Sequence, residues 1–329
     1  MRAAKVTVFD ATNNIAHVTL TADPRVPPKT VKRAMWDNDY SRLCVPMRSA
    51  LRDAGRGALV YAGRLIVFRN VAAMHELIAH AERNVRDFFG SRDPTTAQFS
   101  LSPHSYQERA ARLQTQFEKD PDTAQLLACV LEQTGVHAAQ TFADRTKLRI
   151  QPHGDRYVGG RSRPTGIHRD TWGSNIYQQV NWWAPLYPVT RETTLAFYPR
   201  YWREPVPNSS AQWDFDALLE HRRTAPAGER DAYPSIPRPL VEVDVSGELR
   251  PVLDPGDVLC FSGAQLHGTV PNWSGGARFN VEIRTVYLQD LERKRSAPNV
   301  DGEGKHPMYR WFKALANGTP LETVAPCNP

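Results

Sequence analysis

His168 and Asp170 stand two apart in Ile167-His168-Arg169-Asp170-Thr171-Trp172, and a further imidazole, His267, follows far along the chain. Two imidazoles and one carboxylate on a single face are the donor set that holds non-haem ferrous iron. The opposite face stays open for a cosubstrate and dioxygen. In an extended strand, residues two apart point the same way, so His168 and Asp170 can reach one ion while Arg169 turns away. His-x-Asp alone is a common dipeptide pattern; what surrounds His267 makes it specific.

That second segment opens with a Pro255-Gly256-Asp257 turn, continues as the apolar run Val258-Leu259-Cys260-Phe261, and turns again at Ser262-Gly263-Ala264. His267 then begins a new extended piece. Arg278 lies eleven residues beyond His267 and heads Arg278-Phe279-Asn280-Val281-Glu282-Ile283-Arg284. Period-two alternation predicts Arg278, Asn280, Glu282 and Arg284 on one face, and Phe279, Val281 and Ile283 on the other. Four polar side chains on one strand face are costly unless that face borders a wet, charged cavity. A guanidinium in such a cavity can grip the far end of a dicarboxylate through two parallel hydrogen bonds.

This constellation resembles the iron(II)/2-oxoglutarate-dependent dioxygenases, most closely their phytanoyl-CoA dioxygenase-like branch. The resemblance runs from about Lys147 to Leu288 and is strongest over Pro255 to Asn280. It implies Fe(II) held by His168, Asp170 and His267, with 2-oxoglutarate and O2 as cosubstrates. It implies 2-oxoglutarate binding by Arg278, with Asn280 where that branch often carries a serine. It further implies a mainly β, α+β fold with a double-stranded β-helix (jelly-roll, cupin-like) core. The implied chemistry releases succinate and carbon dioxide and hydroxylates an unactivated C–H bond; desaturation, epoxidation and rearrangement use the same residues. Related halogenases replace the carboxylate by a small residue, so Asp170 argues against halogenation. One departure is visible: where the family runs to a Pro-Gly-Ser-His stretch, this chain reads Phe197-Tyr198-Pro199-Arg200-Tyr201.

Two other readings stay open. The 278–284 strand is also similar to the Arg-x-Asn-x-Thr-x-Arg strand of alkylation-repair nucleic-acid demethylases, with Glu282 in place of threonine. That makes Arg284, seventeen residues beyond His267, a rival for the carboxylate clamp. The long gap from Asp170 to His267 and the lack of a basic aromatic stripe argue against a nucleic-acid partner. A non-catalytic cupin-like binding module is the third reading.

Further residues are candidates for the pocket. Trp172 would share the metal side if the strand persisted past Asp170. Tyr177, Gln179, Asn181 and Trp183 alternate along the next strand, where Asn181 and Trp183 are candidates for substrate and Gln179 for the oxoacid. Lys147 and Arg149 precede the metal segment and could add a carboxylate contact. By contrast, His75-Glu76-Leu77-Ile78-Ala79-His80 has one residue too many for a zincin motif. Five positions span about 500° of helix, which parts the two rings.

The 329 residues, 41% hydrophobic, suit a globular enzyme read as one catalytic domain. Within it, 1–140 form an N-terminal β/helical elaboration and 145–290 the core. A proline-rich insertion occupies about 203–250, and 291–329 make a tail or cap. Hairpins are predicted over 5–20 and 58–68, and helices over 74–89, 106–117, 123–133, 215–222 and 308–315. Four scattered cysteines and no long apolar run point to a reduced, cytoplasmic chain without membrane spans. The net charge of +6 is spread without a block of like charges. A small-molecule substrate, plausibly a natural product of secondary metabolism, is expected; monomer and homodimer are both open.

Overall fold

The structure is a computed structural model that describes residues 5–9, 44–45, 50–90, 93–226, 229 and 232–325. In chain order its strands and helices are β1 (Lys5–Phe9), β2 (Cys44–Val45), α1 (Asp53–Val60), β3 (Leu65–Arg69), α2 (Ala72–Phe89), α3 (Pro103–Lys119) and α4 (Pro121–Gln133). There follow β4 (Thr141–Ala143), β5 (Lys147–Gln151), α5 (Asp170–Ser174), β6 (Gln179–Pro185), β7 (Leu195–Phe197) and α6 (Phe215–Thr224). The chain closes with β8 (Val258–Ser262), β9 (His267–Thr269), β10 (Arg278–Tyr287), α7 (Leu288–Glu292) and β11 (Lys313–Ala314).

Period-two alternation along β10 organises the protein. Its Phe279, Val281 and Ile283 enter one apolar cluster with Leu148 and Ile150 of β5, Trp182 of β6, Cys260 of β8 and Phe68 of β3. Helices α2, α3 and α4 cover that face with Met74, Leu77, Val85, Leu113, Phe117 and Leu131. Among the described residues nine strands form this sheet, in the order β11-β4-β10-β6-β8-β3-β1-β2, with β5 also pairing β10. Every pairing in it is antiparallel.

The opposite face of the sheet carries the polar set. Register places Arg278 opposite Gln151, Asn280 opposite Arg149, Glu282 opposite Lys147 and Trp183, and Arg284 opposite Asn181. A second, two-stranded sheet of β7 and β9 packs over this face. Leu195 and Phe197 of β7 bury against Leu65, Val67, Trp183, Leu259 and Phe261 of the large sheet. Chemistry-bearing residues therefore lie between two sheets, and α2, α3 and α4 stay outside.

The helices start where capping chemistry dictates. Ser102 accepts from the Ser105 N–H ahead of Pro103, and Asp120 accepts from the Asp122 N–H ahead of Pro121. Gly135, at φ +97°, ends the last of these where an added Cβ would meet the Leu51 carbonyl oxygen at 2.5 Å.

Three local expectations change. Residues 58–60 belong to α1, not to a hairpin arm, because the buried Asp53–Arg56 pair and the His137 N–H bond to Asp53 anchor a helical turn there. The 308–315 segment is a short 3-10 turn followed by β11, whose backbone extends the free edge of β4. Of the 5–20 hairpin, β1 pairs with β2 and β3, and residues 10–20 lie outside the described residues. Among the described residues no helix is long and apolar enough to cross a membrane.

Phe279 is fully buried, edge-on to Phe89 at 6.3 Å and to Tyr187 at 5.4 Å between ring centroids. Phe279→Ala should cost about 3–5 kcal/mol in chemical denaturation. A loss under about 1 kcal/mol would contradict this packing.

Candidate metal centre

The segment from Thr165 to His168 runs antiparallel to β9. Thr269 N–H donates to Thr165 at 2.9 Å, and His168 and His267 exchange both backbone bonds at 2.8 and 2.9 Å. Directly paired residues project on the same side, so the two rings meet with centroids 4.4 Å apart. In each ring Nδ1 lies against a backbone carbonyl two residues earlier, Gly166 at 2.8 Å and Gln265 at 2.9 Å. A carbonyl only accepts, so Nδ1 carries a hydrogen in both rings and Nε2 is the atom left to face a ligand.

After His168 the chain does not continue as a strand. The Arg169 guanidinium is buried, donating to the carbonyls of Ala264 at 2.7 Å and Tyr201 at 2.5 Å and pairing with Asp301 at 3.0 Å. That anchor turns the backbone, and Asp170 becomes the first residue of α5. Its carboxylate faces the imidazoles from a helix start, with Oδ2 3.6 Å from His267 Nε2. Ligand atoms of His168, Asp170 and His267 all lie within 4.8 Å of one another, and no other such group occurs among the described residues.

Neighbouring residues hold the carboxylate from two sides. Asn181 Nδ2 donates to Asp170 Oδ2 at 2.5 Å, and Gln179 Nε2 in turn donates to Asn181 Oδ1 at 2.7 Å. Arg284 Nη1 lies 3.5 Å from the other oxygen, Oδ1. The turn at Gly263 makes room: a Cβ there would come within 2.8 Å of Gln179 Nε2 and 3.4 Å of Asp170 Cβ.

These surroundings set the protonation states that a metal requires. Burial, reinforced by the neighbouring His267, pushes the His168 ring down to about 4, so it is neutral at pH 7. Burial alone would raise Asp170. The attraction of His168, His267 and Arg284, with the Asn181 hydrogen bond, outweighs it and holds the carboxyl at about 2.

The remaining charged groups on this face are paired, with one exception. Asp144 takes Arg284 Nε at 2.7 Å and Lys147 Nζ at 2.7 Å. Glu282 takes Arg149 at 3.1 Å and the Asn280 amide at 3.0 Å. Arg278 is buried yet meets no carboxylate among the described residues. Its Nη1 donates to the Thr193 carbonyl at 3.0 Å, its guanidinium lies over the Trp183 ring at 5.9 Å, and its Nε has no partner. Burial lowers that guanidinium to about 10. Arg278 lines a cavity with Arg149, Gln151, Arg161 and Thr269. Thr269 is two residues from His267 on β9, so the cavity and the imidazoles share a strand face.

Several candidates take other places. Trp172 follows the helix, not a strand. It is fully buried among Ala196, Val206 and Leu266, with its indole N–H on Asp301 at 2.7 Å. Tyr177 precedes β6 and stands outside its alternation. Trp183 is also fully buried, its indole N–H without a partner. Lys147 and Arg284 are committed to Asp144, and Asn280 donates its side-chain Nδ2 to Glu282. His75 bonds Asn70 and His80 bonds Asp120, so the two rings part as their spacing requires. Asp144 and Asp301 carry no signal for the site in the sequence. Their partners in the site, Arg284 and Arg169, lie 140 and 132 residues away.

No protein-family model and no curated protein matches the chain. Solved structures similar to it include EvdO2 from Micromonospora carbonacea var. aurantiaca complexed with 2-oxoglutarate. That match is 14% identical over 68% of this chain and 86% of that one, at TM-score 0.40. The non-heme alpha ketoglutarate dependent carbocyclase SnoK from nogalamycin biosynthesis is 13% identical over 75% and 90%, at TM-score 0.36. The epimerase SnoN in complex with Fe3+, alpha ketoglutarate and nogalamycin RO is 13% identical over 78% and 90%, also at TM-score 0.36. Likenesses this loose carry no residue role across, and the site rests on its own geometry.

The neutral His168 ring gives a direct test on metal-free protein. An unfolded histidine takes its proton near ~6.5, the folded ring only at about 4. Stability is therefore lost as pH falls through that window, and this ring contributes no pH dependence above it. By NMR, His168 should stay neutral at pH 5.5. A midpoint near 6.5 would contradict the buried arrangement.

Proposed function

We propose that this chain is a non-haem iron(II)/2-oxoglutarate-dependent oxygenase. It would have a double-stranded β-helix core of the phytanoyl-CoA dioxygenase-like branch and act on a small natural-product molecule. The observation that carries the reading is the pairing of two features on one inner face. Two Nε2 atoms and a charged carboxylate converge on a point, and a buried guanidinium without a carboxylate partner lines a cavity whose Thr269 shares a strand face with His267.

The residues fit the groups this function requires. Two imidazoles and one carboxylate are the donor set that ferrous iron takes. The buried Arg278 is a cation whose desolvation a ligand carboxylate would offset through two parallel hydrogen bonds. Unpartnered buried polar atoms on this face (Gln179 Oε1, Trp183 Nε1, Arg278 Nε, Asn280 Oδ1) support the same conclusion. When bound, iron and 2-oxoglutarate would supply dioxygen activation and oxidation of a substrate C–H bond, with release of succinate and carbon dioxide.

The chain's own residues divide the work. His168 and His267 present Nε2, and Asp170 supplies the anionic ligand. Gln179 and Asn181 orient that carboxylate and are not substrate contacts in this reading. Arg278 is assigned the distal carboxylate of 2-oxoglutarate in preference to Arg284, because Asp144 already neutralises Arg284. Phe197 and Phe261 stand against the His267 ring at 5.8 and 5.0 Å and exclude water from that side. We assign 145–290 as the catalytic core and the insertion at about 203–250 as the segment that covers the substrate. Hydroxylation is the assigned outcome.

Anaerobic addition of iron(II) and 2-oxoglutarate should produce a weak visible band near ~500 nm, a metal-to-oxoacid transition that only chelation at an open iron face gives. A cupin-like binding module would show none. His168→Ala and Asp170→Ala should each abolish iron retention and substrate-dependent succinate formation. Arg278→Ala should weaken 2-oxoglutarate binding roughly 10- to 100-fold, the worth of a charge-assisted contact of about 1.5–3 kcal/mol. If Arg284→Ala does this instead, the clamp assignment is wrong.

A further inference from the structure

We propose that Arg284, braced by Asp144, is a positioning residue that restricts Asp170 to one metal-facing oxygen. The inference rests on the reading of His168, Asp170 and His267 as metal ligands and adds a role for two residues outside that set. The two oxygens of Asp170 have different surroundings. Oδ2 lies 3.6 Å from His267 Nε2 and takes the Asn181 amide, so it is on the ligand side. Oδ1 faces the Arg284 guanidinium at 3.5 Å. A cation on Oδ1 opposes its turning inward, and a carboxylate so held offers the metal one bond instead of two. With a metal bound, a second bond from Asp170 would compete with an oxoacid for the open face.

Arg284 itself is tightly placed. The Asp144 carboxylate accepts from both its backbone N–H, at 2.8 Å, and its Nε, at 2.7 Å. The Asp144 N–H completes the link to the Arg284 carbonyl at 3.0 Å. Lys147, on the facing strand, donates to the same carboxylate at 2.7 Å. Register fixes the far end, since Arg284 pairs directly with Asn181, the residue holding Asp170 Oδ2. One cross-strand pair therefore borders both oxygens, Arg284 as an ion pair 3.5 Å from Oδ1 and Asn181 hydrogen-bonded to Oδ2. The flat guanidinium, held at Nε by Asp144, has Nη1 left to reach Asp170, and a lysine has no such second donor in a fixed plane.

The test uses the intact protein, metal-free, titrated with cobalt(II) alone, without oxoacid. Ligand-field absorption and affinity are measured for wild type, Arg284→Gln, Arg284→Lys, Asp144→Asn and the double variant Arg284→Gln/Asp144→Asn. Arg284→Gln and Asp144→Asn should each shift the cobalt bands and weaken cobalt roughly 10- to 100-fold, the usual cost of losing a partner of a metal ligand. The double variant should be no worse than the weaker single one, because both act through one contact. Arg284→Lys should restore part of the affinity without restoring the band positions.

Bands and affinity equal to wild type in Arg284→Gln and Asp144→Asn would overturn the proposal, as would additive losses in the double variant. Should the glutamine variant fail to fold by circular dichroism, Arg284→Lys and Asp144→Asn decide it on the same criterion. Failure of wild type to bind cobalt at all would overturn the metal reading beneath it. Unchanged cobalt binding in these variants, with wild type binding cobalt, would leave the metal reading standing while removing the role of Arg284.

Discussion

Two backbone hydrogen bonds decide where this protein can do chemistry. His168 and His267 exchange N–H and carbonyl groups across a narrow antiparallel pair, so residues ninety-nine positions apart present their rings side by side. The rest of the site is built onto that bridge. Hydrogen bonds from Nδ1 to the carbonyls of Gly166 and Gln265 settle the tautomers, and burial keeps the His168 ring neutral. The turn anchored by Arg169 then swings Asp170 toward both Nε2 atoms.

A second constraint is electrostatic. The inner face of the large sheet holds Lys147, Arg149, Arg278 and Arg284 against Asp144, Asp170 and Glu282, four cations to three carboxylates. Burying so much charge is tolerable only when each group has a partner, and the pairing leaves Arg278 over. The excess positive charge lines a cavity that reaches Thr269, on the same strand as His267, and a metal would add more. An anionic chelating ligand is the species whose charge balances that environment, which is why the metal reading and the oxoacid reading support each other.

Legibility in the sequence followed periodicity. Alternation along 278–284 was readable because a strand of that length in a two-layer protein must have one apolar and one inward face; Phe279, Val281 and Ile283 occupy the apolar cluster accordingly. The turn at Pro255-Gly256-Asp257 and the extended piece opening at His267 were readable from turn chemistry. The place of Asp170 on a helix was not, because the cause is the distant anchoring of Arg169 by Ala264, Tyr201 and Asp301. Trp172 was misplaced by the same step, since period two ends where that turn begins. The 58–60 segment has the residues of a strand, but the buried Asp53–Arg56 pair makes it helical. Asp144 offered no local pattern at all, although it shares its carboxylate between two cations of the site.

The central claim is that one metal ion sits between His168, Asp170 and His267, bound through both Nε2 atoms. The most direct measurement is an anomalous difference map at the iron absorption edge from crystals reconstituted anaerobically with iron(II). The account predicts one peak per chain, about 2.0–2.2 Å from His168 Nε2, His267 Nε2 and a single oxygen of Asp170, the span of first-row metal–ligand bonds. A peak elsewhere, or none at these three residues in fully reconstituted protein, would contradict it.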